Sequence, residues 1–102
     1  MRTLSIIILS YNTEQITHQC LDSLIQNVRA SEGIHFEIIV VDNASSDNSP
    51  QMLTAFQHKN KLSNLTCKII LNETNEGFPK GNNRGVRACH GEYVLFLNSD
   101  VL

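Results

Sequence analysis

The chain has 102 residues, of which 41% are hydrophobic and 18% charged, with a formal net charge of −2. That is enough for one small domain, or part of a larger one, with a modest core. The slight acidic balance excludes the basic footprint of a nucleic-acid binder.

Residues 3–9, Thr-Leu-Ser-Ile-Ile-Ile-Leu, read as a strand. The run is nearly continuous in apolar and β-branched residues, as expected where both faces of a sheet are covered. It falls well short of the roughly 18 residues that span a bilayer. No small-residue cleavage site follows it, so it does not read as a signal peptide. Thr13 is expected to cap a helix over 14–29, with Glu14 favourable in the first turn. Its inner stripe is expected at Ile16, Cys20, Leu24 and Val28. Ser31-Glu32-Gly33 breaks it.

Phe36–Val41 reads as a second strand, followed by a polar stretch over 42–49. Ser49-Pro50 starts a second helix whose inner face is Met52, Leu53 and Phe56. Thr66–Leu71 reads as the third strand. A long polar loop is expected over 72–83, then a helix over 80–90 with Val86 and Cys89 inward and Gly91 ending it. Glu92–Leu97 reads as the fourth strand. The order β-α-β-α-β-α-β predicts an α/β fold, a parallel twisted sheet with flanking helices and right-handed crossovers. There is no internal repeat or low-complexity segment.

The polar residues gather where strands end. Tyr11 could stack on a base, with Ser10 or Asn12 bonding its edge, or the three could form an ordinary strand-to-helix turn. Asp42, at the head of Asp42-Asn43-Ala44-Ser45-Ser46-Asp47, could accept from a base N–H or a ribose hydroxyl. The segment is no EF-hand, because Asp47 stands at the glycine position and no Glu closes the loop. Asp47 reads as a turn or capping residue. Gly77-Phe78-Pro79-Lys80-Gly81-Asn82-Asn83-Arg84-Gly85 is neither a P-loop nor a Rossmann fingerprint. Glycine at every fourth position lets a helix start pack close to another backbone or a ligand. Lys80 and Arg84 would add positive potential for phosphate, or would simply be solvated. Asn98-Ser99-Asp100 follows the fourth strand, where an open α/β sheet presents ligand groups and a carboxylate can hold a hard cation. A plain turn would use the same residues. Three polar strand ends suggest one shared nucleotide site.

The remaining signals are bland. Cys20, Cys67 and Cys89 are odd in number and far apart, so neither a disulfide framework nor a zinc site is expected, and a reducing cytosol fits. The four histidines show no ligand spacing. The Asn-x-Ser/Thr sequons at Asn43, Asn64 and Asn72 are expected by chance.

Taken together, four stretches resemble the N-terminal half of family-2 glycosyltransferases with the GT-A fold: Leu-Ser-Ile-Ile-Ile-Leu-Ser-Tyr-Asn at 4–12, Ile-Ile-Val-Val-Asp-Asn-Ala-Ser-Ser-Asp at 38–47, Asn-Glu-Gly-Phe-Pro-Lys-Gly-Asn-Asn-Arg-Gly at 75–85, and Gly-Glu-Tyr-Val-Leu-Phe-Leu-Asn-Ser-Asp at 91–100. The resemblance spans essentially the whole chain. Its Asn-x-Gly-Phe and Leu-Asn-x-Asp forms look most like the rhamnosyltransferase-type branch, which builds bacterial surface polysaccharides.

The resemblance implies a Rossmann-like nucleotide-binding half with strand order 3-2-1-4, a nucleotide-diphosphate-sugar donor, and Mg²⁺ or Mn²⁺. Tyr11 would face the base and Asp42 the base or ribose. Many relatives carry two acids where this chain has Asp42-Asn43, which leaves open which of the pair touches the base. Asn83, with Lys80 nearby, would line the nucleotide pocket, Asn98 would face the ribose, and Asp100 would bind the metal. The implied reaction is an inverting transfer to a glycan or lipid-linked acceptor. The general base belongs to a C-terminal half expected to be absent, so residues 1–102 would hold donor weakly without turnover. A noncatalytic nucleotide-binding remnant is the alternative. A receiver-like module would need acids where Ser10-Tyr11 stand, and a sugar nucleotidyltransferase would need a glycine-rich loop after the first strand. The full-length protein is expected in the cytoplasm, and peripheral membrane association is compatible with a lipid-linked acceptor. An unpaired, apolar fourth strand invites homo-oligomers.

Overall fold

A computed structural model describes residues 2–75 and 77–98. Ser99, the proposed metal ligand Asp100 and the side chain of Asn98 lie outside what it describes. The elements run β1 (Arg2–Ser10), α1 (Glu14–Ala30), β2 (Ile34–Asp42), α2 (Ser49–Lys59), β3 (Leu65–Leu71), α3 (Gly77–Ala88) and β4 (Tyr93–Asn98). All strand pairs are parallel and the sheet order is β3-β2-β1-β4. This is the expected architecture.

Strand alternation divides the core in two. Ile6, Ile8, Phe36, Ile38 and Val40 face one side, where Cys20, Leu21, Ile25 and Val28 of α1 and Leu53 and Phe56 of α2 cover them. Ile7, Leu9, Ile39 and Val41 face the other, with Ala88 and Cys89 against them. The central strands are therefore apolar on both faces, which is why β1 and β2 read as unbroken hydrophobic runs.

The buried face of α1 differs from the expected stripe. Thr17, Cys20, Leu21, Ile25 and Val28 are buried, while Ile16 is 41% exposed. A strict four-residue repeat drifts around a helix of about 3.6 residues per turn, so the inner face alternates steps of three and four. Nor does Thr13 cap α1 with its side chain. Asp47 does, its Oδ2 accepting the Glu14 N–H at 3.2 Å across the loop gap.

Two expectations for α3 need correction. The helix begins at Gly77, so the polar loop after β3 is short. Val86 does not face inward; it is exposed, and the inner face is instead Gly81 and Gly85, both buried. A Cβ on Gly81 would run into the Leu9 side chain, and one on Gly85 would lie 2.5 Å from Ile7 Cγ2. The glycines let the α3 backbone lie directly against the Leu9 and Ile7 side chains of β1, in place of an apolar stripe on that part of the helix.

The connection from α3 to β4 is pinned by a polar cluster on the same face. Glu37 is buried, and its carboxylate accepts from Ser5 Oγ at 2.7 Å and from the His90 N–H at 2.7 Å, with Lys68 Nζ at 3.0 Å. Ser5 Oγ in turn accepts the Gly91 N–H at 2.9 Å. Burial pushes the Glu37 carboxyl up, but hydrogen bonds from the His90 N–H, Ser5 and Lys68 outweigh it and hold the pKa at about 2.

Candidate functional site at the strand ends

The sheet register sets Ser10 opposite Asp42 and Asp42 opposite Leu71, with Asn98 beside Leu9 one step behind. The carboxyl ends of all four strands thus share one edge. The ladder runs one residue further, since the Asn43 N–H donates to Ser10 O and the Asn72 N–H to Asp42 O, both at 2.9 Å. β1 is the switch point, because the chain passes from β1 to β2 on one side and reaches β4 on the other only after β3. An open α/β sheet forms its ligand crevice at such a point.

Ser10 is fully buried, and its hydroxyl is shared with Thr17 Oγ1 at 3.1 Å and Thr13 Oγ1 at 3.5 Å. These bonds fit the turn reading of Ser10, which shapes the loop that aims the next residue. That residue, Tyr11, is 48% exposed at the crevice rim. A half-exposed aromatic ring on a rigid turn is suited to stacking.

Asn12 takes a left-handed backbone, φ 51°, which asparagine tolerates better than most residues. It joins the first two loops. Its Oδ1 accepts the Ser46 N–H at 2.7 Å, and its own N–H donates to Ser45 Oγ at 2.9 Å. Ser45 is held by Asp42, whose Oδ1 accepts from Ser45 Oγ at 2.6 Å and whose Oδ2 accepts the Ser45 N–H at 3.0 Å. Asp42 is buried, so both carboxylate oxygens first serve the fold of their own loop. Asp47 closes the loop as expected of a turn residue, accepting the Ser49 N–H at 2.9 Å where α2 begins. Hydrogen bonding from Ser49, against a slight burial penalty and with the Glu14 N–H adding to it, lowers the Asp47 pKa.

Asn43 is also buried, and it points to the other face of the sheet. Its Oδ1 accepts from Asn72 Nδ2 at 2.9 Å, and its Nδ2 donates to Gly77 O at 3.2 Å. Gly77 has φ 78°, a backbone that favours glycine, and its N–H donates to Asn75 Oδ1 at 2.9 Å. The start of α3 is thereby tied to the end of β2. Lys80 and Asn83 are exposed on the first turns of that helix.

The structure therefore brings together the ends of β1 and β2 with Tyr11, Asp42 and Asn43, the start of α3 with Lys80 and Asn83, and the backbone of Asn98. Sequence reasoning missed the bracing by Ser45, Ser46 and Asn72. Asn72 carried a signal, as a polar residue directly after a strand. The link from Asn12 to Ser46 carried none, since the partners are 34 residues apart. Among the described residues no group of three His, Cys, Asp or Glu side chains could hold a metal ion. The donors at this edge are oxygens of amides, hydroxyls and one carboxylate, a set that suits Mg²⁺ or Mn²⁺ rather than a thiophilic metal.

Comparison with known proteins places this geometry. Residues 5–102 match the family described as Glycosyl transferase family 2. The chain is 38% identical over 98 residues to the poly(ribitol-phosphate) beta-glucosyltransferase of Bacillus spizizenii, an alignment covering 95% of this chain and 14% of that protein. It superposes on Staphylococcus aureus TarS 1–349 in complex with UDP-GlcNAc with a TM-score of 0.77 and 31% identity, over 96% of this chain and 26% of that one. The mannosyltransferase PcManGT from Pyrobaculum calidifontis, solved with GDP-Man and Mn²⁺, shares the fold with a TM-score of 0.79 at 22% identity, over 95% of this chain and 27% of that one. The chain thus spans a small part of the length of the proteins it matches.

Proposed function

This chain belongs to glycosyltransferase family 2, and from that premise we propose that the strand-end crevice holds the nucleoside diphosphate of a sugar donor. The observation that carries the reading is the convergence on one edge of an exposed Tyr11, the braced Asp42-Asn43 turn and the Lys80-bearing start of α3. TarS, similar over 96% of this chain, was solved in complex with UDP-GlcNAc.

In this reading Tyr11 stacks on the base, and Asp42 or its loop receives the base or ribose. Lys80 and the amide groups at the start of α3 attract the diphosphate, helped by the helix dipole. Asn83 lines the same wall, and Asn98 stands where the ribose would lie. A divalent cation, Mg²⁺ or Mn²⁺, would be held by Asp100. When bound it neutralises charge growing on the departing diphosphate. The reaction is an inverting displacement at the anomeric carbon, with a glycan or lipid-linked acceptor of surface polysaccharide synthesis. The acceptor hydroxyl needs a general base. We assign that base, and the acceptor surface, to a part of the protein outside residues 1–102. These residues are then a donor-binding half, inactive in isolation.

Titrating the chain with UDP, GDP and dTDP, with and without Mn²⁺, tests the donor site. The reading predicts metal-enhanced binding of at least one nucleotide, weakened by Tyr11→Ala. A transfer assay with radiolabelled sugar nucleotide tests the division of labour. Turnover by residues 1–102 alone would overturn the assignment of the base elsewhere.

A further inference from the structure

Asn43 stands at the position most open to two interpretations, a contact to the ligand or a support for what contacts it. It is 2% exposed, and both ends of its amide are engaged. The oxygen accepts from Asn72 at 2.9 Å and the nitrogen donates to the Gly77 carbonyl at 3.2 Å. Gly81, one turn further along α3, comes so close that an added Cβ would sit 3.4 Å from Asn43 Nδ2. At that exposure a base could reach the amide only if the turn around it opened.

We propose that Asn43 is a positioning residue, whose neutral side-chain amide fixes the start of α3 against the ends of β1 and β2 and so places Lys80 and Asn83 on the donor. The inference rests on the donor-site reading for what α3 delivers, but the placement of α3 is a property of the chain itself. The chemistry demands an amide. A carboxylate only accepts, so an aspartate here could keep the bond from Asn72 while setting a charged oxygen against the Gly77 carbonyl. An acceptor facing an acceptor makes no hydrogen bond, and the added charge repels the carbonyl. Where an acid occupies this position, the helix start must be held in another way.

The test is Asn43→Asp, which preserves size and removes the donor. Two quantities are measured at neutral pH: exchange protection of the amides from Gly81 to Gly85, and dissociation constants for UDP, GDP and dTDP with Mn²⁺. Protection in α3 falls while that of β1 and β2 is kept. Binding of all three nucleotides weakens by a common factor on the order of tenfold, the loss of one hydrogen bond. Unchanged protection in α3 overturns the proposal. So does an altered rank order among the nucleotides, which would make Asn43 a base contact. Asn72→Ala, which removes the group that orients the amide, gives the same pattern to a smaller degree and decides the matter if Asn43→Asp does not fold. If the unaltered protein binds none of the three nucleotides, the donor-site reading fails and the exchange measurement alone decides the role of Asn43.

Discussion

At the scale of single residues, polar side chains here mostly hold backbone in place. Asp42, Asn43 and Asn12 sit at or just past strand ends and Asp47 just before α2, and each commits hydrogen bonds to loop or helix-start backbone. Asp47 was legible as a capping residue because its bond to Ser49 is local. Its second bond, to Glu14, was not, because the partner lies 33 residues away and only the sheet brings it near. Glu37 shows the same limit. Nothing local within β2 names its partners, and it is buried among Ser5, Lys68 and His90. Its carboxyl ionises at about 2 in the folded protein against an ordinary 4.5. The folded value is depressed, so its contribution to stability is fully present above 4.5 and is lost as pH falls towards 2. Glu37→Gln should lower stability by about 1–3 kcal/mol at neutral pH. In urea unfolding the gap between the two proteins should narrow as the pH is lowered through that window. A constant gap would mean the ionised form makes no special contribution.

At the scale of elements, hydrophobic periodicity located every strand and the first two helices, because apolar burial drives both. It failed for the inner face of α3, where the packing signal is the absence of side chains. Gly81 and Gly85 stand four apart, and spacing alone does not say whether such a pair admits a ligand or a strand; the contacts with Leu9 and Ile7 show the strand. Gly85→Ala should therefore cost about 1–3 kcal/mol by overpacking, despite alanine's better helix propensity. A thermal melt above that of the parent protein would refute the close-approach account. Asp47→Ala removes the acceptor at the first turns of both α1 and α2. About 1 kcal/mol per cap is expected from chemical denaturation. Because hydrogen bonding lowers the Asp47 pKa, its effect too should fade as the solution is acidified.

At the scale of the molecule, the parallel sheet was legible from the alternation of strands and helices, and the strand order from the resemblance to known sugar transferases. The order β3-β2-β1-β4 makes β1 the switch point, with Tyr11 leaving its carboxyl end. β4 forms one border of the sheet, and its residues Tyr93, Val94, Leu95 and Phe96 are about half exposed. An apolar edge of that kind is a template for further pairing. The account's central claim is that the donor lies across the carboxyl ends of the strands. Paramagnetic broadening by Mn²⁺–UDP in the amide spectrum tests it most directly. The predicted result is loss of signal at Tyr11, Asn43 and Lys80, with Arg2, Ile34 and Leu65 at the opposite ends unaffected. Broadening centred on those opposite ends, or spread without preference over the surface, would contradict it.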